Sequence, residues 1–223
     1  PDITLPDLIR SLLLSPGLKA RTLSIPKTEM KGTPVPADEL TSRTIIEQLN
    51  GFIKDDMVAV ADVGDCLFSC VDLQVNRFIG PAFYASMGFG VPAGIGSMLA
   101  DPTRRPVVLV GDGGFQMTGV ELSTAKKLEQ NPVVIVFDDG YYGTLRTIGP
   151  DLKSFELAGW DYAGVANALG CEGSSVSTAA ELRNSLEAAL ESKLPYLIDA
   201  RIAERPSPFL QRLGELIGKK TRE

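Results

Sequence analysis

No histidine occurs anywhere in the 223 residues, and cysteine appears only three times, at Cys66, Cys70 and Cys171. These shortages exclude a zinc centre of the usual kind, because Cys66 and Cys70 lack the further Cys or His that such a site needs. The three thiols form no paired spacing and read as reduced core or loop groups in a cytoplasmic setting. Basic residues are outnumbered, 22 Lys and Arg against 28 Asp and Glu, for a net charge of −6. Without any long basic run, nucleic acid is not an expected partner. No secretory signal opens the chain, and its first residue is Pro1 rather than Met, so a processed or truncated start is expected. Residues 78–100 carry no charge, but five glycines and two prolines interrupt them; they read as a buried loop and helix, not a membrane span.

What the chain does contain suits one soluble domain with a good core, since 44% of its residues are hydrophobic. Residues 3–14 predict a short amphipathic helix, and residues 15–38, rich in Pro, Lys and Thr, have linker composition. Ile45, Ile46, Leu49, Phe52 and Ile53 share one helical face, and residues 57–61, 107–110, 133–137 and 196–202 read as strands. Thr118 and Glu121 have capping-box spacing, as do Thr178 and Glu181 ahead of Leu182, Leu186 and Leu190. Asp161 is placed to cap a helix ending at Gly170. Ser207-Pro208 opens a terminal helix with apolar positions at Phe209, Leu210, Leu213, Leu216 and Ile217. Strands alternating with helices predict a three-layer α/β/α fold with a mostly parallel sheet of about six strands.

The chemistry concentrates in residues 111–142. An apolar run ends in Gly111-Asp112-Gly113-Gly114, and the next one ends in Asp138-Asp139-Gly140, with Asp112 and Asp139 27 residues apart. A right-handed crossover of that length returns the second strand parallel to the first, so both acids reach the carboxyl edge of the sheet, where open α/β folds bind ligands. Glycines beside Asp112 let backbone N–H groups approach a phosphate. No Lys or Arg lies between Gly111 and Ala125, so a polyanion held there needs a hard divalent cation, for which Mg²⁺ with oxygen ligands is suited. Read without that pairing, each motif is an ordinary turn.

The pair resembles the cofactor motif of thiamine-diphosphate enzymes, in which Gly-Asp-Gly is followed at this distance by two asparagines. Residues 111–124 followed by 131–136 resemble indolepyruvate and phenylpyruvate decarboxylases. Residues 59–73 and 81–96 resemble phenylpyruvate decarboxylase-type enzymes, and residues 159–170 and 194–202 resemble the last third of pyruvate decarboxylases. The similarity spans roughly residues 39–217.

The resemblance implies a decarboxylase of aromatic or indolic 2-oxo acids that uses thiamine diphosphate and Mg²⁺. It implies Asp112, Asp139 and the Tyr141 carbonyl as metal ligands, and Gly113 and Gly114 as diphosphate donors. Gly143 and the strand-end loop carrying Val63 and Asp65 fall on the diphosphate side. Ala85 matches the carbonyl that accepts from the aminopyrimidine, and Met87 the residue beneath the bent cofactor. Residues 1–38 then correspond to the end of a middle domain plus linker, and residues 39–223 to the diphosphate- and metal-binding domain. The family's pyrimidine-binding domain, with its glutamate and histidines, has no counterpart here. Completing the site requires that domain or subunit, within a homo- or hetero-oligomer, and the isolated chain is expected to be inactive.

Two departures stand out. Asp138-Asp139 replaces the asparagine pair, with Asp138 expected to bond backbone N–H groups of the turn. Leu145 stands where pyruvate decarboxylases carry a glutamate. Residues 142–146 also resemble the YGxxR run of carboligases of the acetolactate synthase or benzoylformate decarboxylase type. A phosphohydrolase using Asp112, and a non-catalytic thiamine-diphosphate-binding module, are the readings from other classes.

Overall fold

Four apolar runs become the buried strands of one parallel sheet. The computed structural model describes Ser11 and residues 39–148, 152–203 and 208–220. Of two compact units, Pro1–Met30 and Lys31–Glu223, the second holds every element named below. The predicted helix at 3–14 lies outside the described residues apart from Ser11, which is helical.

In chain order the elements are α1 (Ser42–Phe52), β1 (Met57–Ala61), α2 (Asp65–Ser69), β2 (Phe78–Ile79), α3 (Gly90–Ala100), β3 (Arg105–Gly111), α4 (Asp112–Thr118), α5 (Leu122–Lys127), β4 (Val133–Asp138), α6 (Gly143–Ile148), α7 (Tyr162–Ala168), β5 (Glu172–Val176), α8 (Ala179–Glu191), β6 (Tyr196–Arg201) and α9 (Pro208–Lys220). The strand order is β2-β1-β3-β4-β6-β5, with all neighbours parallel. This is the predicted three-layer fold with six strands.

Alternation along β3 shows how the sheet is covered. Val107 and Leu109 face a core shared with Ile45 and Leu49 of α1 and Leu182 and Leu186 of α8, whereas Val108 and Val110 face one shared with Val91 and Ile95 of α3 and Tyr162 of α7. Both faces are therefore dry, which is why the central strands read as unbroken apolar runs. Each fully buried aliphatic side chain contributes roughly 1.5–3 kcal/mol. At the opposite edge from the strand ends of interest, Arg105 donates to the carbonyls of Asn131, Ala189 and Leu190 at 2.6, 2.7 and 3.2 Å, tying the end of α8 to the start of β3.

The capping predictions divide. Thr178 and Glu181 form a capping box on α8, and the Asp161 side chain accepts from Gly164 N–H at 2.8 Å on α7. Thr118 caps nothing: its hydroxyl donates to the Gly88 carbonyl at 2.9 Å, and the helix after β3 starts earlier, at Asp112. The acidic motif is thus a helix start rather than a loop before one.

Residues 78–100 also need correction. Gly90–Ala100 is a helix as expected, but the segment before it is not buried, with Phe83 and Tyr84 87% and 85% exposed. Ile79 and Phe89 still pack against the core beneath α3, and it is residues 82–87 that face outward. In α9, Leu210 is buried and Phe209 stacks on Phe68 at 5.3 Å, whereas Leu216, predicted inward, is exposed; the Ile217 side chain lies outside the described residues. The cysteines are unpaired, with Cys66 and Cys171 buried. Among the described residues no helix is long and apolar enough to cross a membrane.

Candidate functional site

Three strand ends, those of β1, β3 and β4, each finish in an acid. Register sets their meeting: Gly111 pairs with Phe137, so the chain leaves β3 and β4 side by side, with Asp112 and Asp138 next in line. Gly140 then takes φ +75, a left-handed conformation natural to glycine, and turns the chain back. That turn brings Gly140 N–H to Asp112 Oδ2 at 2.8 Å, while Gly113 N–H donates to Asp112 Oδ1 at 2.7 Å. Tyr141 N–H donates to Asp139 Oδ1 at 3.0 Å. The turn thus keeps Asp139 close enough for its charge to act on Asp112.

The electrostatics are those of crowded, desolvated carboxylates. Burial, with the Asp139 charge behind it, pushes Asp112 up to about 7. Burial likewise pushes Asp139 up to about 6, with Asp65 and Asp138 adding to the rise and the Tyr141 N–H and Arg146 opposing it. Arg146 sits 4.3 Å from the centre of the Tyr141 ring. Asp138 departs from its predicted role. It is raised chiefly by burial and then by Asp199, and its carboxyl lies within hydrogen-bond reach of Asp112 and Asp199 rather than serving backbone N–H groups of the turn. The register explains this, because Asp138 is still strand and its neighbour across β6 is Arg201.

Tyr141 enters an isolated antiparallel bridge with Glu156. The bridge bonds run from Tyr142 N–H to the Phe155 carbonyl and from Leu157 N–H to the Gly140 carbonyl, both 2.9 Å, so the Tyr141 carbonyl takes no part in them. The bridge lays the Tyr142 ring over Gly113, where a Cβ would come within 2.5 Å of it. At Gly143, the first residue of α6, a Cβ would come within 2.6 Å of Asp139 Oδ2. Glycine at both positions is a matter of close approach.

Asp62 joins the two segments that carry most of the remaining predicted residues. Fully buried at the end of β1, its carboxylate accepts from Val63 N–H at 2.8 Å, Gly88 N–H at 3.2 Å and Gly90 N–H at 2.7 Å. It thereby ties the loop bearing Val63 and Asp65 to the segment bearing Ala85 and Met87. Gly114 packs against the same carboxylate, within 3.3 Å of a built Cβ. Burial raises Asp62 despite those N–H donors. Asp65 is the first residue of α2, and Gly64 before it lies against the Thr144 hydroxyl of α6. Ala85 and Met87 lie on the exposed loop, Ala85 at φ +51, a costly conformation for a residue with a Cβ. Among the described residues no three His, Cys, Asp or Glu side chains are disposed to hold a metal by themselves.

The sequence points to Asp62 only as a member of the strand-end loop 62–66, and to Tyr142 only as the first residue of the run 142–146, with no role of its own for either side chain. Asp62 carries the same signal as Asp112, an acid directly after an apolar strand run. Tyr142 carries none, since only the bridge to residues 155–157 brings its ring over Gly113.

The family described as Thiamine pyrophosphate enzyme, C-terminal TPP binding domain, matches residues 62–200. An indole-3-pyruvate decarboxylase of Azospirillum brasilense is 34% identical over 207 residues, covering 90% of this chain and 38% of that protein. An alpha-keto-acid decarboxylase of Mycolicibacterium paratuberculosis is 29% identical over 189 residues, covering 81% and 34%. The chain thus spans a little over a third of the length of these relatives. A solved structure, the thiamine diphosphate-dependent 4-hydroxybenzoylformate decarboxylase of Rhodococcus jostii, superposes with a TM-score of 0.69 at 24% identity, over 78% of this chain and 35% of that one, and shares the fold. The matched span contains the acidic pair, its glycines and the Asp62 junction, and the chain belongs to the thiamine pyrophosphate enzymes, as a C-terminal TPP-binding domain.

Proposed function

We propose that residues 39–223 are the diphosphate- and metal-binding domain of a cytoplasmic 2-oxo acid decarboxylase that converts aromatic or indolic 2-oxo acids to the aldehyde and CO₂. The observation that carries this reading is the pairing of buried Asp112 with half-buried Asp139 at neighbouring strand ends, beside the backbone of Gly113, Gly140 and Gly143.

The donor set fits Mg²⁺. Carboxylates pushed up to about 7 and about 6 by burial and by nearby acids are unstable as a bare anionic pair, and a divalent cation relieves both causes at once. Asp112, Asp139 and the Tyr141 carbonyl would hold it. Gly113, Gly114 and Gly143, with the loop carrying Val63 and Asp65, would line the diphosphate side; the Gly113 N–H would share its donor with Asp112. The Ala85 carbonyl and Met87, stapled to this edge through Asp62, would hold the far part of the cofactor. When bound, thiamine diphosphate supplies the nucleophilic carbon and the electron sink that decarboxylation requires.

The partner is a pyrimidine-binding domain or subunit in an oligomer. Phe83, Tyr84 and Met87, all exposed on the segment that Asp62 holds, supply apolar surface of the kind such a partner buries. Leu145, 45% exposed two residues beyond Gly143, supplies apolar surface suited to an aromatic substrate, and the similarity to an indole-3-pyruvate decarboxylase points the same way. The run Tyr142-Gly143-Thr144-Leu145-Arg146 favours carboligation as the second reading.

Titration calorimetry of thiamine diphosphate into a complex containing the pyrimidine-binding domain should show binding that requires Mg²⁺ and is lost in Asp112→Ala. Binding indifferent to both would overturn the site. Product analysis with phenylpyruvate, indolepyruvate and pyruvate should show the first two giving aldehyde; acetolactate from pyruvate would select the carboligase instead.

A further inference from the structure

The amino end of the sheet carries a second concavity, on the opposite edge from the acidic pair. It has a volume of about 320 Å³, within the range of small-molecule sites. Met57, the first residue of β1, lines it with Ile53 and Val75, and Lys54, Gln74, Asn76 and Arg77 supply polar groups. Its walls are held by specific bonds. Asn50 Nδ2 donates to the Asp72 carbonyl at 3.1 Å, and Asn50 Oδ1 accepts from Gln74 N–H at 2.6 Å. Across the cleft Asn76 Nδ2 donates to Asp55 Oδ1 at 2.8 Å.

The charge balance of the cleft is unlike that of the whole chain. The Asp55 carboxylate is engaged by Asn76, and the Asp55 carbonyl receives Arg104 Nη1 at 2.8 Å. The Lys54 ammonium makes no hydrogen bond or ion pair among the described residues, its carbonyl alone accepting, from Met57 N–H at 3.0 Å. Arg77 spends one N–H, on the Asp55 carbonyl at 3.3 Å, and its remaining donors make no bond among the described residues. Two cations thus stand beside one engaged carboxylate, in a chain whose net charge is −6. The cations suit an anion, for which Arg offers paired donors. The apolar lining from Ile53, Met57 and Val75 gains nothing from a bare inorganic anion, which binds no apolar surface, but it does reward an apolar body.

We propose that this cleft is a second ligand site, which takes a small organic carboxylate with an apolar body. The carboxylate meets Lys54 and Arg77, and the body lies on Ile53, Met57 and Val75. Parallel strands separate it from the acidic pair by the full length of β1, so the two sites can be filled together.

The test is a titration of the full chain with 3-phenylpropanoate, read by backbone amide NMR, with the neutral 3-phenylpropanamide as control. Saturable shifts are expected at Gln74, Val75 and Asn76. In the double variant Lys54→Gln, Arg77→Gln the affinity should fall about tenfold or more, as losing charge-assisted bonds implies. Lys54→Glu with Arg77→Glu should abolish binding. Both substituted positions are exposed, and an unchanged melting temperature checks that the fold survives. Equal shifts with the amide, undiminished affinity in the double variant, or shifts confined to the region of Asp112 would each overturn the proposal.

Discussion

Replacing Asp112 by Asn should stabilise the metal-free protein at pH 8 and cease to do so at pH 5. Asp112 is 3% exposed, and its carboxyl is raised from 3.8 to about 7, first by burial and then by Asp139. A raised acid binds more protons folded than unfolded, so stability falls as pH climbs from the unfolded value toward the folded one. Each pH decade in that window is worth about 1.4 kcal/mol, so the wild-type chain should lose on the order of 3 kcal/mol between pH 5 and pH 8 through this one group. The variant carries no such charge, but one of the two N–H groups that Asp112 accepts, from Gly113 and Gly140, would face an amide NH₂, at a cost of about 1–3 kcal/mol. At pH 8 in EDTA the variant should therefore melt a few degrees above wild type, at about 2–4 °C per kcal/mol for a chain of this size. At pH 5 it should melt level with wild type or below it. Adding Mg²⁺ at pH 8 should raise only the wild-type melting temperature, because binding to the folded state stabilises it by mass action. A wild-type melting temperature that is flat from pH 5 to pH 8 without metal, or a variant with the same slope as wild type, would refute the reasoning.

Gly143→Ala should weaken Mg²⁺-dependent cofactor binding at least tenfold in calorimetry while shifting the melting temperature little, because the new Cβ meets the movable Asp139 carboxylate at 2.6 Å. Gly94→Ala should instead cost stability, about 1–3 kcal/mol by urea unfolding, since its Cβ would lie 2.5 Å from a Val108 methyl in the core beneath α3. Glu129, at φ +55 just beyond α5, should gain about 0.5–1 kcal/mol on replacement by Gly, which adopts that conformation without strain; an unchanged urea midpoint would argue that its backbone conformation carries no strain.

The sequence alone determined the central strands, the helices with side-chain caps at Asp161 and Thr178, and the pairing of Asp112 with Asp139, because local patterns encode them: unbroken apolar runs, fixed cap spacing, acids at strand ends. It left β2 and β5 unseen. β2 is two residues long, and β5 reads Glu-Gly-Ser-Ser-Val, edge strands whose conformation comes from a neighbour's backbone and not from their own side chains. It also mistook residues 82–87 for buried, since apolar composition does not by itself decide which residues the fold covers.

Only the tertiary structure decided what the individual acids do. Register placed Asp138 beside Asp112 and Asp199, the left-handed turn at Gly140 brought its own N–H onto Asp112, and Asp62 became the tie between its own loop and the segment at Gly88 and Gly90. Each outcome depends on contacts between residues far apart in the chain, where a shift of one position in strand pairing would send every side chain to the other face.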